Sequence, residues 1–273
     1  MKRKILQELE HLLLAEIDPA FARRARFIFE IVQREKPNYI LDIGCGRGFY
    51  IKGLSLFDFP KEIYGIDTNE SYLSIAKRQT KDKRIHVQTG SIYQLPFPKN
   101  YFDLIICSEV FEHLTDEKRA VAEIKRVLKK QGSLVVTVPH EQFPFLWDPL
   151  NWILMRFFHT HINKDIWWLA GIWAGHERLY TKKKLQRIFT DKQLHIITLH
   201  GYLQYCWPFS HFLLYGIGKN LVERIKITSF SRFGQKPSRQ AQLIAAIFRF
   251  PAKFDKDGQT EATVGLIGHI KKV

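Results

Sequence analysis

The sequence predicts an α/β fold: a mostly parallel sheet with helices on both faces. Two observations carry the prediction. Short apolar runs alternate with segments of helical period through residues 37–139, the pattern of strands joined by crossover helices. Phe102–Cys107 (FDLIIC) and Ser133–Val138 (SLVVTV) are nearly continuous apolar runs, as expected of strands covered on both faces. A third observation points to a site. Tyr39–Ile43 runs straight into Gly44-Cys45-Gly46-Arg47-Gly48, and an apolar pattern returns over residues 50–57. That reads as a buried strand, a glycine turn and a helix start, where main-chain N–H groups are open to a carboxylate or phosphate.

In order along the chain, residues 4–16 and a segment from Asp18-Pro19 to about Gln33 have helical periodicity. Lys36-Pro37-Asn38 ends the second helix and hands over to the opening strand. Glu62–Ile66 is the second strand, closed by Asp67-Thr68-Asn69, and Glu70–Thr80 reads as a helix. Arg84–Gln88 is the third strand, followed by the loop Gly90–Phe97. Phe102–Cys107 is the fourth, Asp116–Lys129 an amphipathic helix, Gly132 a turn and Ser133–Val138 the fifth strand. From His140 the rhythm breaks into an aromatic-rich insertion. All six tryptophans fall between Trp147 and Trp207, Trp167 and Trp168 among them. The pattern resumes with helix Lys182–Thr190 and strand Leu194–Leu199, then helix Arg239–Phe250 and strand Ala262–Ile270. The loop Ser229–Ser238 is the expected flexible stretch. The organisation expected is one domain over 1–273: N-terminal helices (1–36), a core (37–139), an insertion (140–180) and the remainder of the sheet (181–273).

The composition is globular, with 45% hydrophobic and 14% aromatic residues. Cys45, Cys107 and Cys206 are far apart in apolar runs, which gives no disulfide framework and no paired metal-ligand spacing. This suits a reducing cytoplasm. The MKRK opening is followed by Glu8, Glu10 and Glu16, which is no secretory signal. The formal charge of +15 favours anionic partners without choosing among nucleic acid, acidic lipid and phosphorylated substrate.

Asp67, at the end of the second strand, is placed to accept both hydroxyls of an adenosine ribose, and Asp67 or Thr68 could instead cap the helix that follows. A dinucleotide fingerprint requires a glycine at position 49, which is Phe49. The chain instead resembles the class I S-adenosylmethionine-dependent methyltransferases. The resemblance lies in LDIGCGRG, YGIDTN, GSIYQLPF, FDLIICSEVFEHL and LKKQGSLVVTVP, covering roughly residues 36–139. It implies a Rossmann-like sheet of seven strands whose last is antiparallel. It also implies S-adenosylmethionine as cofactor, with S-adenosylhomocysteine as product. Carried over residue by residue, Asp42, Gly44, Cys45 and Gly46 border the methionine part and Asp67 the ribose, and Gly48 belongs to the same cofactor-binding turn. Thr68, Ser91 and Ile92 flank the adenine, and Ser108 closes the site. Family members often carry an acid where this chain has Ser91, so adenine would be held by backbone groups and a hydroxyl.

After the fourth strand the sequence reads Ser108-Glu109-Val110-Phe111-Glu112-His113. If a helical turn begins there, Glu109, Glu112 and His113 share a face. Two chemistries fit: His113 as general base oriented by Glu112, or a hard divalent ion held by these residues that acidifies an acceptor hydroxyl. A purely packing role is the plain alternative. The E-x-x-E-H pattern is similar to metal-binding motifs of ubiquinone-pathway O-methyltransferases and small-RNA 2′-O-methyltransferases. That similarity brings His176, in GHERLYT, into the conditional metal set of Glu109, Glu112, His113 and His176.

The function expected is methyl transfer to a small-molecule or lipid-like acceptor, most readily a hydroxyl. An RNA methyltransferase acting on a terminal ribose ranks second, motivated by the charge, and a non-catalytic cofactor-binding protein third. The aromatic insertion can line an apolar acceptor pocket or contact an anionic membrane at its periphery. Gln193–Gly218 holds no Asp, Glu, Lys or Arg over 26 residues, long enough for a membrane span. Its three histidines, Pro208 and the need for a sixth strand argue against one.

Overall fold

Seven strands make one sheet: β1 (Tyr39–Ile43), β2 (Glu62–Asp67), β3 (Ile85–Thr89), β4 (Phe102–Ser108), β5 (Leu128–Pro139), β6 (Leu194–Tyr202) and β7 (Gly265–Lys272). Their order is β3-β2-β1-β4-β5-β7-β6. Strands β1 to β5 pair in parallel, and β7 runs antiparallel to both neighbours. The order reverses between β1 and β4, so the crevice beyond their carboxyl ends is where such a sheet takes a ligand. The structure is a computed structural model that describes residues 2–14, 16–79, 81–166, 168–190, 193–218, 239–255 and 261–273. Trp167 and the loop Ser229–Ser238 lie outside the described residues.

The continuous apolar runs are explained by a core on each face of the sheet. Ile40, Leu104, Ile106 and Val135 pack on one side with α1 (Lys2–Leu13), α2 (Pro19–Glu35) and α3 (Phe49–Leu54). Leu41, Ile105, Cys107, Leu134 and Val136 pack on the other with α5 (Glu117–Val127) and α7 (Lys182–Ile188). Alternate residues of each strand thus face opposite layers, so the central strands are apolar on both faces except where polar groups such as Asp42 and Thr137 approach the strand ends. Each fully buried side chain of this size contributes about 1.5–3 kcal/mol.

Local signals set the helix ends. Asp18 caps α2 by accepting from Ala20 N, Pro19 takes the first turn, and Lys36 closes it in a left-handed conformation. Asn69, rather than Asp67 or Thr68, caps α4 (Glu70–Arg78), accepting from Tyr72 N. Asp116 caps α5 through Arg119 N. The helix expected to reach Lys129 stops at Val127, and β5 begins at once. Gly132 is no simple turn: Phe102 pairs with Leu128 but Leu104 pairs with Ser133, so residues 129–132 bulge out of register, with Gln131 at φ 63°.

The 140–180 stretch leaves and rejoins the sheet at one point. Glu141 N donates to Tyr180 O, and Tyr180 N donates to Pro139 O. Between them lie α6 (Pro149–Phe157) and a 3-10 turn over Gly171–Trp173. Buried Asp148 ties these two together, accepting from Asn151 and from Ile172 N. The charge-free stretch from Gln193 supplies β6 and then a π-helical turn, Phe212–Gly218. Among the described residues no helix is long and apolar enough to cross a membrane.

Candidate active site

The glycine turn after β1 is held from below and from the side. Gly44 N and Cys45 N both donate to Ile66 O, and Gly46 N donates to Asp67 Oδ2 at 2.8 Å. Asp67 Oδ1 accepts from Asn69 N. Its carboxylate therefore fixes the turn, and each oxygen keeps a further lone pair for a ligand. The glycines differ in purpose. A Cβ on Gly48 (φ +84°) would lie 2.9 Å from Ala76 Cβ, so this glycine lets α4 approach. A Cβ on Gly46 (φ +53°) would meet nothing within 4 Å, so this one faces open space above the strand ends.

Asp42, the last residue but one of β1, is 1% exposed and its Oδ2 has no hydrogen-bond partner. Burial first, and then Asp67, hold its carboxyl well above the ordinary range. A buried, unpaired acceptor under the glycine turn fits an ammonium donor. On the far side of the turn Ile92 is buried, while the Ser91 hydroxyl accepts from Tyr93 N within its own turn. Thr68 is exposed at the mouth. Cys45 is buried and its thiol is pushed up by burial, so it packs as an apolar residue.

A polar chain leads from the turn to the next strand end. Thr137 Oγ1 donates to Glu109 Oε1 at 2.8 Å. Ser108 Oγ lies 2.9 Å from Thr137 Oγ1, and Tyr50 OH 3.2 Å from Ser108 Oγ. With the Thr137 proton committed to Glu109, Ser108 donates to Thr137 and Tyr50 to Ser108. Tyr202 OH also donates to Glu109, and Arg24 stands 3.7 Å from Glu109 Oε2.

Glu109 does not share a face with Glu112 and His113. The helical turn is a 3-10 turn confined to Phe111–His113, and Glu109 precedes it in a left-handed conformation, φ 57°. Its carboxylate is drawn to Thr137, Tyr202 and Arg24. The structure instead brings together Glu112, His113 and His176, with one ligand atom of each within 4.8 Å of the others. His113 Nδ1 is 2.8 Å from Gly175 O and His176 Nδ1 is 2.6 Å from Ile172 O. Each Nδ1 carries the proton for its carbonyl, which leaves both Nε2 atoms as acceptors. Glu112 is wholly buried and neither carboxylate oxygen has a hydrogen-bond partner.

This cluster lines a cavity of about 410 Å³ beside the ends of β4 and β5. Trp147 from the insertion and Arg24, Tyr202, His211 and Tyr215 complete much of its wall.

Residues 41–136 match the family described as a methyltransferase domain. A ubiquinone/menaquinone biosynthesis C-methyltransferase, UbiE, of Burkholderia cenocepacia is 32% identical over 175 residues, which is 62% of this chain and 68% of that protein. An uncharacterized methyltransferase of Schizosaccharomyces pombe, C1B3.06c, is 36% identical over 107 residues. That match spans 36% of this chain and 38% of the yeast protein's length. Among solved structures, YcgJ of Bacillus subtilis superposes with a TM-score of 0.55 at 20% identity, covering 92% of this chain and 99% of that one. The chain belongs to the class I S-adenosylmethionine-dependent methyltransferases. Its cofactor is S-adenosylmethionine, as the glycine turn, Asp67 and the strand order implied.

In this methyltransferase the cavity lined by Glu112 and His176 is electrostatically unusual. Burial above all, with Glu109 adding to it, holds the Glu112 carboxyl well above the ordinary range. His176 is lowered to about 4 by burial and then by His113, and His211 to about 3, again chiefly by burial. Glu112, His113 and His176, named from the sequence, line this cavity, and so do Arg24, Tyr202 and His211, which the sequence did not point to. Arg24 sits in an ordinary basic-apolar helix, AFARRARF, with no local signal. His211 falls in the charge-free stretch Gln193–Gly218, where no neighbouring residue pattern marks a site.

Proposed function

We propose that this methyltransferase acts on the hydroxyl of a small-molecule or lipid-like acceptor seated in the 410 Å³ cavity. One observation carries the reading: a wholly buried, unpaired Glu112 carboxylate beside the Nε2 of His113, 3.8 Å away, on the cavity wall. The bound cofactor supplies an electrophilic methyl group, and the chain must orient the acceptor and take its proton. Gly175 O fixes the His113 tautomer so that Nε2 accepts, and the buried Glu112 carboxyl beside it ionises as the imidazolium forms and stabilises that cation. Asp42 receives the cofactor's ammonium, and Asp67 its ribose hydroxyls. Thr68, Ser91 and Ile92 border the adenine, and Ser108 the reacting end.

A second reading is favoured by His176. Three ligand atoms with both Nδ1 atoms tied to carbonyls suit a divalent ion with open coordination positions, which would acidify the acceptor hydroxyl. Treating active enzyme with chelator separates the two. Unchanged turnover leaves His113 as base; loss restored by one divalent metal supports the ion.

The Burkholderia relative is named a C-methyltransferase. Removing a phenolic or enolic proton activates carbon as well as oxygen, so the cluster serves either atom. Tandem mass spectrometry of the methylated product distinguishes them, and a product methylated on nitrogen would overturn the reading.

Apolar side chains outside the cavity support a lipid-like acceptor and peripheral contact with an anionic bilayer. Phe157 and Phe158 are 69% and 68% exposed. Helix α8 (Arg239–Arg249) buries Ala241 and Ala245 while Leu243 and Ile247 face out, 63% and 52% exposed. Amphipathic aromatics with flanking cations and a net +15 suit an acidic headgroup layer. Co-sedimentation with phosphatidylserine vesicles at low salt, absent with phosphatidylcholine, is the expected result. No sedimentation with either overturns this part.

A further inference from the structure

A second cavity, about 610 Å³, lies between α2, β6 and α8 and shares Arg24 and Tyr202 as a common wall with the acceptor cavity. Its lining is strongly basic: Arg23, Arg24, Arg26, Arg249 and Lys253, with His200, against the single carboxylate of Glu30. Three of these cations have acidic neighbours. Arg26 pairs with Glu10 at 2.7 and 2.8 Å, Arg23 approaches Asp255 at 3.4 Å and Arg24 approaches Glu109 at 3.7 Å. The other two are held differently. Arg249 donates to the backbone carbonyls of Leu13 and Leu14, and Lys253 Nζ stands 5.8 Å from the Phe250 ring centre. Neither is within ion-pair distance of a carboxylate among the described residues. A carbonyl orients a guanidinium without cancelling its charge, so this wall keeps a surplus of positive charge. Burial, followed by repulsion from Arg26, pulls Arg249 below the ordinary guanidinium value, against a weaker opposing pull from Glu16 and Glu10.

We propose that this second cavity is an anion site that receives a phosphate or carboxylate group of the acceptor whose reacting end lies in the neighbouring cavity. The proposal rests on the acceptor reading of that neighbouring cavity and narrows the acceptor to an anion-bearing molecule. Arg24 is the hinge between the two chambers. Its side chain is 11% exposed, its Nε has no hydrogen-bond partner, and it is stacked 4.9 Å from the Phe21 ring centre. A molecule spanning both chambers passes this guanidinium. The outer lip belongs to α8 and the 3-10 turn Pro251–Phe254, where Lys253 adjoins exposed Phe250 and Phe254. An anionic group on an apolar tail and a free phosphorylated metabolite share the chemistry that fits.

The test is calorimetric titration of the full chain with inorganic pyrophosphate, short-chain phosphatidic acid and an uncharged short-chain diacylglycerol. S-adenosylmethionine is titrated into the same preparations. Saturable binding of one or both anions, weakening with salt, is expected, with no binding of the diacylglycerol. Phosphatidic acid binding alone assigns the group to a lipid, and pyrophosphate binding assigns it to a soluble phosphate. Lys253→Gln, on an exposed side chain, should weaken anion binding about tenfold and leave cofactor binding unchanged. Arg249→Gln should add to that loss, and Lys253→Gln stands alone if the former disturbs the fold. Anions that fail to bind, or bind both variants as well as the parent, overturn the proposal. If cofactor binding persists in that outcome, the methyltransferase assignment stands; if cofactor binding is absent from the parent, the assignment itself is at fault.

Discussion

His113 Nε2 lies 3.8 Å from Glu112 Oε1, and that carboxylate is wholly buried without a hydrogen-bond partner. A buried unpaired carboxylate costs several kcal/mol unless it is protonated or meets a cation. The fold keeps it beside an imidazole on the wall of a cavity, which is the arrangement the proposed proton or metal chemistry requires.

Replacing Glu112 by Gln removes this cost and keeps the shape. The variant is expected to melt no lower than the parent while its kcat falls by about 10²-fold or more, the range of a lost base-orienting or charge-stabilising group. His113→Ala should lose activity to a similar degree. Calorimetry should show unchanged cofactor affinity in both variants, which assigns the loss to the acceptor side.

Asp67→Ala removes an acceptor that both fixes Gly46 N and faces the expected ribose. Hydrogen bonds to a charged group contribute about 1.5–3 kcal/mol, so cofactor affinity should fall about 10- to 100-fold. Isothermal titration measures it directly. An unchanged dissociation constant would sink the role assigned to Asp67.

The glycines give a paired prediction. Gly48→Ala forces a methyl to within 2.9 Å of Ala76 Cβ at φ +84°, and the stability should fall by about 1–3 kcal/mol. Gly46→Ala has free space for its methyl, so its larger effect should be on cofactor affinity. Urea unfolding and cofactor titration of both variants separate the roles.

His211 is buried and held at about 3 against an ordinary 6.5. Between those values the unfolded chain takes up a proton that the folded chain refuses. Its contribution to stability is therefore complete above pH 6.5 and is lost as pH falls through the window. His176 and His140, each at about 4, act in the same direction, while Glu112 and Asp42, with raised values, act in the opposite one. Comparison with His211→Gln cancels the other groups. The drop in melting temperature from pH 7 to pH 5 should be smaller in the variant than in the parent.

Much of the fold was legible because strand and helix periods are local. Ile40 and Leu41, or Leu104 and Ile105, are adjacent apolar residues serving opposite cores, and such doubling announces a two-sided strand. The cofactor side was legible for a related reason. Gly44 to Gly48 and Asp67 lie at the ends of neighbouring parallel strands, so strand order alone brings them together. The errors came where local pattern competes with packing. Glu109, Glu112 and His113 have helical spacing, but the hydroxyls of Thr137 and Tyr202 and the guanidinium of Arg24 draw Glu109 away. Gly132 looked like a turn and proved to be a bulge, because β5 begins pairing at Leu128 before it.

By itself the sequence determined the α/β class, the place of the glycine turn and the nature of the cofactor. These follow from spacings within single strand–turn–helix units. Only the tertiary structure decided which residues line the cavity beside β4 and β5. Arg24 comes from α2, His176 from the insertion, and Tyr202 and His211 from β6 and the segment after it. No local period links residues so far apart in the chain, and their convergence is a property of how the sheet, the insertion and α2 pack around one cavity.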